Sequence, residues 1–148
     1  MASRSDLVLP AILGVMAGGR SQSVTAFIAW QGLDRRAASP LGRAAATLAV
    51  AGEAVVDKTP LVPPRTQPGP LLGRMMFGAI GGAAVARHQR ASIVPSAIIG
   101  ATAAAAATFG FHRARRWLGQ RTPLPDFAWA VAEDAGVAAL GVAAARRL

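Results

Sequence analysis

Long runs of small apolar residues alternate with short breaks rich in charge or proline. Five apolar segments can be marked, at about 7–33, 41–57, 71–86, 91–111 and 127–145. A helix that crosses a bilayer takes about 20 residues, with a range of roughly 17–25. The segments at 7–33, 91–111 and 127–145 meet that length. Those at 41–57 and 71–86 are short, and each carries an arginine close to its start, Arg43 and Arg74. Those arginines would have to reach the interface for the segments to span. The pattern predicts an all-α chain, a polytopic membrane bundle of about five segments in a single domain over 1–148.

The breaks read as turns. "DRRAASP" ends on Ser39-Pro40, a cap followed by a first-turn proline. "KTPLVPPRTQPGP" holds five prolines in thirteen residues, which predicts a rigid, extended loop. "RHQR" is a tight connection, and "GQRTPLPD" a proline-bearing turn with Asp126 placed to cap the last helix. Inside the first segment, "GGRSQS" at 18–23 interrupts the apolar run. Two glycines weaken a helix there, and Arg20 at membrane depth would need a partner. Either the helix is broken and lines a polar cavity with Ser21, Gln22 and Ser23, or two short helices meet at the surface around Arg20. The N-terminal run could pass for a signal peptide, but Asp6 abuts it and the apolar pattern resumes after Arg20. A retained membrane segment is the better reading.

Composition strengthens the membrane expectation. Hydrophobic residues make up 53% and charged ones 16%, against about 25% charged in ordinary soluble domains. Alanine supplies much of the apolar content. Small side chains bury little area, so a core driven by water would be weak. They do let helix backbones approach, which is how helices associate in lipid. Gly14/Gly18, Gly78/Gly82 and Ser96/Gly100 all have that spacing. A soluble bundle is the alternative, sustained by the two short segments.

The net charge is +9, carried by fifteen Arg and one Lys. Most of these cations lie at the ends of apolar runs, where membrane helices meet lipid phosphates. No aromatic-interleaved basic motif accompanies them, so nucleic acid is not expected as a partner. The cations divide almost evenly between the two sides of a five-crossing bundle, compatible with insertion in both directions. There are no cysteines, which removes disulfides and thiolate chemistry. His88 and His112 are separated and sit beside arginines, so no metal site is expected.

The buried charges are the candidate chemistry. Glu53 and Asp57 share a helix face at a spacing of four. Glu133 and Asp134 bring two more acids into the last segment, and Arg20 and Arg74 are the cations facing them. In lipid each such group must be paired or neutralised. One reading is a set of ion pairs that hold the bundle in one arrangement. The other is a proton or ion relay, with Glu53 as the proton- or cation-binding acid and Arg20 as its counter-charge or an anion contact. Paired carboxylates also serve hydrolysis and divalent metals, but nothing else in the chain supports either, so neither an enzyme nor a cofactor is expected. A faint repeat links the halves: "AILG" at 11–14 with "AIIG" at 97–100, and "LAVAGEA" at 48–54 with "WAVAEDA" at 129–135. It would make the halves inverted repeats, as in many transporters.

The stretch "EAVVDKTPLVPPRTQPGPLLGR" resembles the signature of a bacterial membrane family, domain of unknown function 4126. The resemblance falls on Glu53, Asp57, Lys58, Pro60, Arg65, Thr66, Pro68, Pro70 and Arg74. Gly18, Arg20 and Ser21 match the family's first-helix Gly-x-Arg-Ser, and Glu133 and Asp134 its late acid pair. The family often has a proline just after Arg-Ser, where this chain has Val24 and Thr25. The resemblance implies an all-helical, multi-pass protein of the bacterial cytoplasmic membrane. It implies no activity. The polar centre expected from all of this is Arg20, Ser21, Glu53, Asp57, Lys58, Arg65, Arg74, Glu133 and Asp134. The expected role is a small solute or ion transporter or channel. The alternative is a non-catalytic membrane subunit whose Gly/Ala faces pack against partner proteins or further copies of itself.

Overall fold

The computed structural model describes residues 4–56 and 66–148, and every regular element among them is helical. The helices are α1 (Arg4–Gly19), α2 (Ser21–Trp30), α3 (Pro40–Val56), α4 (Pro68–His88), α5 (Ile93–Arg121) and α6 (Asp126–Ala145). Three are long and apolar enough to cross a membrane: α4, α5 and α6 from Phe127. That is consistent with a membrane protein.

Several segment boundaries differ from the sequence reading. The first segment breaks where the sequence places the interruption, into two helices, α1 and α2, that meet at Arg20. The third segment is not short: α4 begins at Pro68 and has 21 residues. Pro68 and Pro70 belong to its first turn, where a missing N–H costs nothing and the fixed φ suits a helix. The proline spacing alone predicts an extended loop there, and the helix start corrects it. The fourth segment runs ten residues beyond Phe111, to Arg121, because Arg, Leu and Gln are good helix formers. At 29 residues it is about 43 Å long, more than a hydrocarbon core of about 30 Å. Its last turns carry Arg113, Arg115, Arg116 and Arg121, with the Arg121 guanidinium 4.5 Å from the Trp117 ring centre.

The centre of the bundle is where α1 and α4 cross α5. On α5 the buried positions Ser96, Gly100, Ala104 and Thr108 recur every four residues and form one stripe. Small residues at that spacing let backbones touch. A Cβ added at Gly14 would fall on the carbonyl oxygen of Gly100, and one at Gly78 would fall on the same oxygen. Gly100 is therefore a three-helix junction, and "AILG" and "AIIG" meet there face to face. Around this junction Leu9, Leu13, Met16, Val24, Phe27 and Val85 form the apolar core. α5 is unbroken where α1 is interrupted, so the echoed segments do not share one shape.

Beyond α2 the chain turns through Gly32, whose φ of 70° suits a residue without Cβ. Asp34 then organises the turn: Oδ1 accepts from the backbone N–H groups of Arg36 and Ala37, both at 2.9 Å. Ser39 Oγ accepts from Gly42 N at 3.1 Å and starts α3, as its place before Pro40 predicts. The Ala37 N–H bond, helped by Arg36, holds the Asp34 carboxyl below its ordinary value of 3.8. A depressed folded value stabilises above the unfolded one and is lost as pH falls through the folded one. The Asp34→Asn variant should thus melt slightly below wild type at neutral pH, and the gap should close in acid. Thermal melts of both proteins across that range check it.

Candidate functional site at the helix break

One residue separates α1 from α2. Arg20 is extended, with φ −140° and ψ 114°. A helix interrupted this way leaves carbonyls unpaired on one side and N–H groups on the other. The partial charges of the two ends are negative at the end of α1 and positive at the start of α2. Buried, such groups cost free energy unless something meets them.

Distant charged side chains meet them. Arg74, from the second turn of α4, donates from Nη1 to the carbonyl oxygens of Gly18 at 2.9 Å and Gly19 at 2.8 Å, with Ala17 at 3.4 Å. Thr108 Oγ1 lies 3.4 Å from the Gly18 oxygen as well. On the other side, Glu53 from the last turn of α3 accepts from the backbone N–H of Ser21 through Oε1 and of Gln22 through Oε2, both at 2.9 Å. A cation therefore closes the carbonyl end and an anion the amide end. The two caps face each other, with Arg74 Nη2 3.9 Å from Glu53 Oε1. Arg74 is only 4% exposed. It does not reach an interface, as the sequence reading required, because α1 supplies a closer set of acceptors.

Arg20 itself turns to α6. Its Nε and Nη2 donate to the two carboxylate oxygens of Asp134, the second at 2.8 Å. This planar, two-pronged match is the strongest geometry an arginine offers a carboxylate. The expected pairing of Arg20 with Glu53 gives way to this one. Ser21 contributes through its backbone N–H, Ser23 Oγ donates to the Arg20 carbonyl at 2.6 Å, and Gln22 Oε1 accepts from Thr25.

Of the expected centre, the structure brings together Arg20, Ser21, Glu53, Arg74 and Asp134. Glu133 is elsewhere: adjacent helix positions point about 100° apart, and its Oε2 lies 3.9 Å from Arg115 Nη1 on α5. Asp57, Lys58 and Arg65 lie outside the described residues. Two contributors were missed. Arg115 sits in an arginine-rich helix end that reads as lipid contact, and Thr108 looks like one more small residue in an alanine run. Only its four-residue spacing from Ala104 and Gly100 marks it.

A groove of about 490 Å³ opens between α2, α3 and α6. Arg20 and Asp134 line one part of it, and Phe27, Trp30, Val50 and Val137 are among its apolar walls. The Arg20 side chain is 9% exposed, that of Asp134 41%. Of the pair, the acid is the more open to a solute. A second groove of about 460 Å³ lies between α2 and α4, reaching from Thr25 to Arg87.

Compared with protein-family models, with curated proteins and with solved structures, the chain gives no match.

Proposed function

We propose that this chain is a multi-pass protein of the bacterial cytoplasmic membrane, akin to domain of unknown function 4126, that moves a small solute or ion. The observation that carries the reading is the groove ending on the Arg20–Asp134 pair beside a broken helix. Broken helices in lipid are tolerated where they line a cavity or are buried in protein, and transporters place their sites at such breaks. Asp134, half-exposed to the groove, is the acid that takes the proton or cation. Glu53, with both oxygens engaged by backbone N–H groups, holds the break in shape. No chemistry on a substrate and no cofactor are part of this reading.

A second reading, a non-catalytic membrane subunit, is favoured by one observation. Among the described residues α3 packs against α2, and Leu41, Leu48 and Val55 on α3 are exposed. A partner helix or a second copy would cover them.

Purified protein in sealed liposomes separates the two. Under the first reading, an imposed proton or cation gradient collapses faster than in protein-free vesicles. Asp134→Asn then slows that rate by about tenfold or more, while the variant still elutes as folded protein. Wild-type vesicles as tight as empty ones would leave the subunit reading standing.

A further inference from the structure

Among the described residues, the groove between α2, α3 and α6 presents one base, one acid and an apolar wall. Arg20 and Asp134 carry opposite charges, and Phe27, Val137, Gly141 and Val142 line the groove beside them. The pair is neutral as a unit. Away from bulk water, a ligand that adds net charge to a neutral site meets a large desolvation cost. A carboxylate alone would take Arg20 and strand Asp134. An ammonium alone would take Asp134 and strand Arg20. A molecule bearing both groups pairs each with its opposite and leaves the total at zero.

Depth narrows the source. α2 has 10 residues from the break to Trp30, about 15 Å of helix. That is half of a hydrocarbon core of about 30 Å. Trp30 is 57% exposed and stacks with Arg43, whose guanidinium lies 5.3 Å from the ring centre. Tryptophan and arginine together mark a membrane interface. With α2 upright in a bilayer and Trp30 at its interface, the Arg20–Asp134 pair would sit near mid-depth, beyond where a zwitterionic lipid headgroup resides. The groove volume falls in the range of small-molecule sites, roughly 300–1,000 Å³.

We infer that this groove binds a free α-amino acid with an apolar side chain, which deepens the transport reading by naming its substrate class. The carboxylate of the ligand pairs with Arg20 and its ammonium with Asp134. Its side chain lies against Phe27, Val137 and Val142. No bond is made or broken, and one internal ion pair is exchanged for two with the ligand.

The test uses the full chain in lipid nanodiscs and titration calorimetry with three probes of matched shape. These are leucine, 4-methylpentanoate, which lacks the ammonium, and 3-methylbutylamine, which lacks the carboxylate. Leucine should bind at least about tenfold tighter than either analogue. Asp134→Asn should weaken leucine by about tenfold or more and tighten 4-methylpentanoate by about tenfold, since its carboxylate no longer strands an acid. Asp134→Glu should restore part of the loss. Val142→Trp, at a half-exposed wall position, should abolish leucine binding with the fold intact by circular dichroism. Equal affinities for the three probes, or no leucine binding by folded protein, overturn the inference. So does leucine binding seen in phosphatidylglycerol discs and lost in phosphatidylethanolamine discs, which would make the headgroup the occupant. Flux measured in parallel keeps the two proposals apart. Leucine binding without flux leaves this site and removes transport, whereas gradient collapse without leucine binding does the reverse.

Discussion

Arg74→Ala should cost about 3–5 kcal/mol of stability, the range for removing one partner from a buried ionic network. Total stabilities are commonly about 5–15 kcal/mol, so little folded protein should survive purification. The loss has three parts. The carbonyls of Gly18 and Gly19 would lose their charged donor. The negative end of α1 would face the interior uncompensated. Glu53 would remain as a buried anion without the cation 3.9 Å away. Arg74→Lys keeps the charge but cannot fork between two carbonyls and Glu53, so about one charged hydrogen bond, 1.5–3 kcal/mol, should go. Glu53→Gln should fall in the same range, since its amide nitrogen would meet a backbone N–H instead of accepting from it. Unfolding by dodecyl sulfate in mixed micelles gives the ranking. A double-mutant cycle between positions 53 and 74 should show clear coupling. An Arg74→Ala protein within about 0.5 kcal/mol of wild type, the scatter of ordinary surface changes, would sink the capping account.

The second large effect belongs to Gly100. Its Cβ would fall on the Gly78 carbonyl, and the Cβ of Gly14 or Gly78 would fall on its own. Backbone, unlike the tip of a side chain, cannot step aside without moving a helix. Gly100→Leu should cost about 3 kcal/mol or more, at the upper end of overpacking penalties. It should part α1, α4 and α5 together. Gly110, ten residues along the same helix, has nothing within 4 Å of a built Cβ. Gly110→Leu is the matched control: same helix, same chemistry, and no expected loss, with a gain of up to about 1 kcal/mol from helix propensity. Heat stability by size-exclusion chromatography after a temperature series distinguishes the two. If both variants behave alike, the junction is not what holds the bundle.

Much of the architecture was legible in residue pattern. Apolar runs, prolines and turn residues located the helices, because helix formation and its termination are local events. Boundaries slipped where local rules overlap. Pro68 and Pro70 break a helix interior yet open one well, and only the direction of the following chain separates the two roles. The arginine-rich end of α5 falls outside the apolar run at 91–111, because arginine ends a hydropathy pattern without ending a helix. The break at Arg20 was visible as Gly18-Gly19 followed by a cation, and both options, cavity-lining or surface, were open. It is buried at 7% exposure and lines a groove.

Pairing was a different matter. Hydropathy and composition require that Arg20, Glu53, Arg74 and Asp134 find opposite charges inside an apolar bundle, since lone ions there are too costly. Which charge meets which was settled by helix placement. Crossing at Gly100 brings α4 across the end of α1, so Arg74 reaches carbonyls rather than the interface. α3 lies against the start of α2, so Glu53 meets amides rather than Arg20. α6 offers only one of its two neighbouring acids to the break, because a helix turns each residue away from the last. Local chemistry therefore accounts for the helices and for the need for partners. The partners themselves follow from geometry between elements far apart in the chain, which no local pattern encodes.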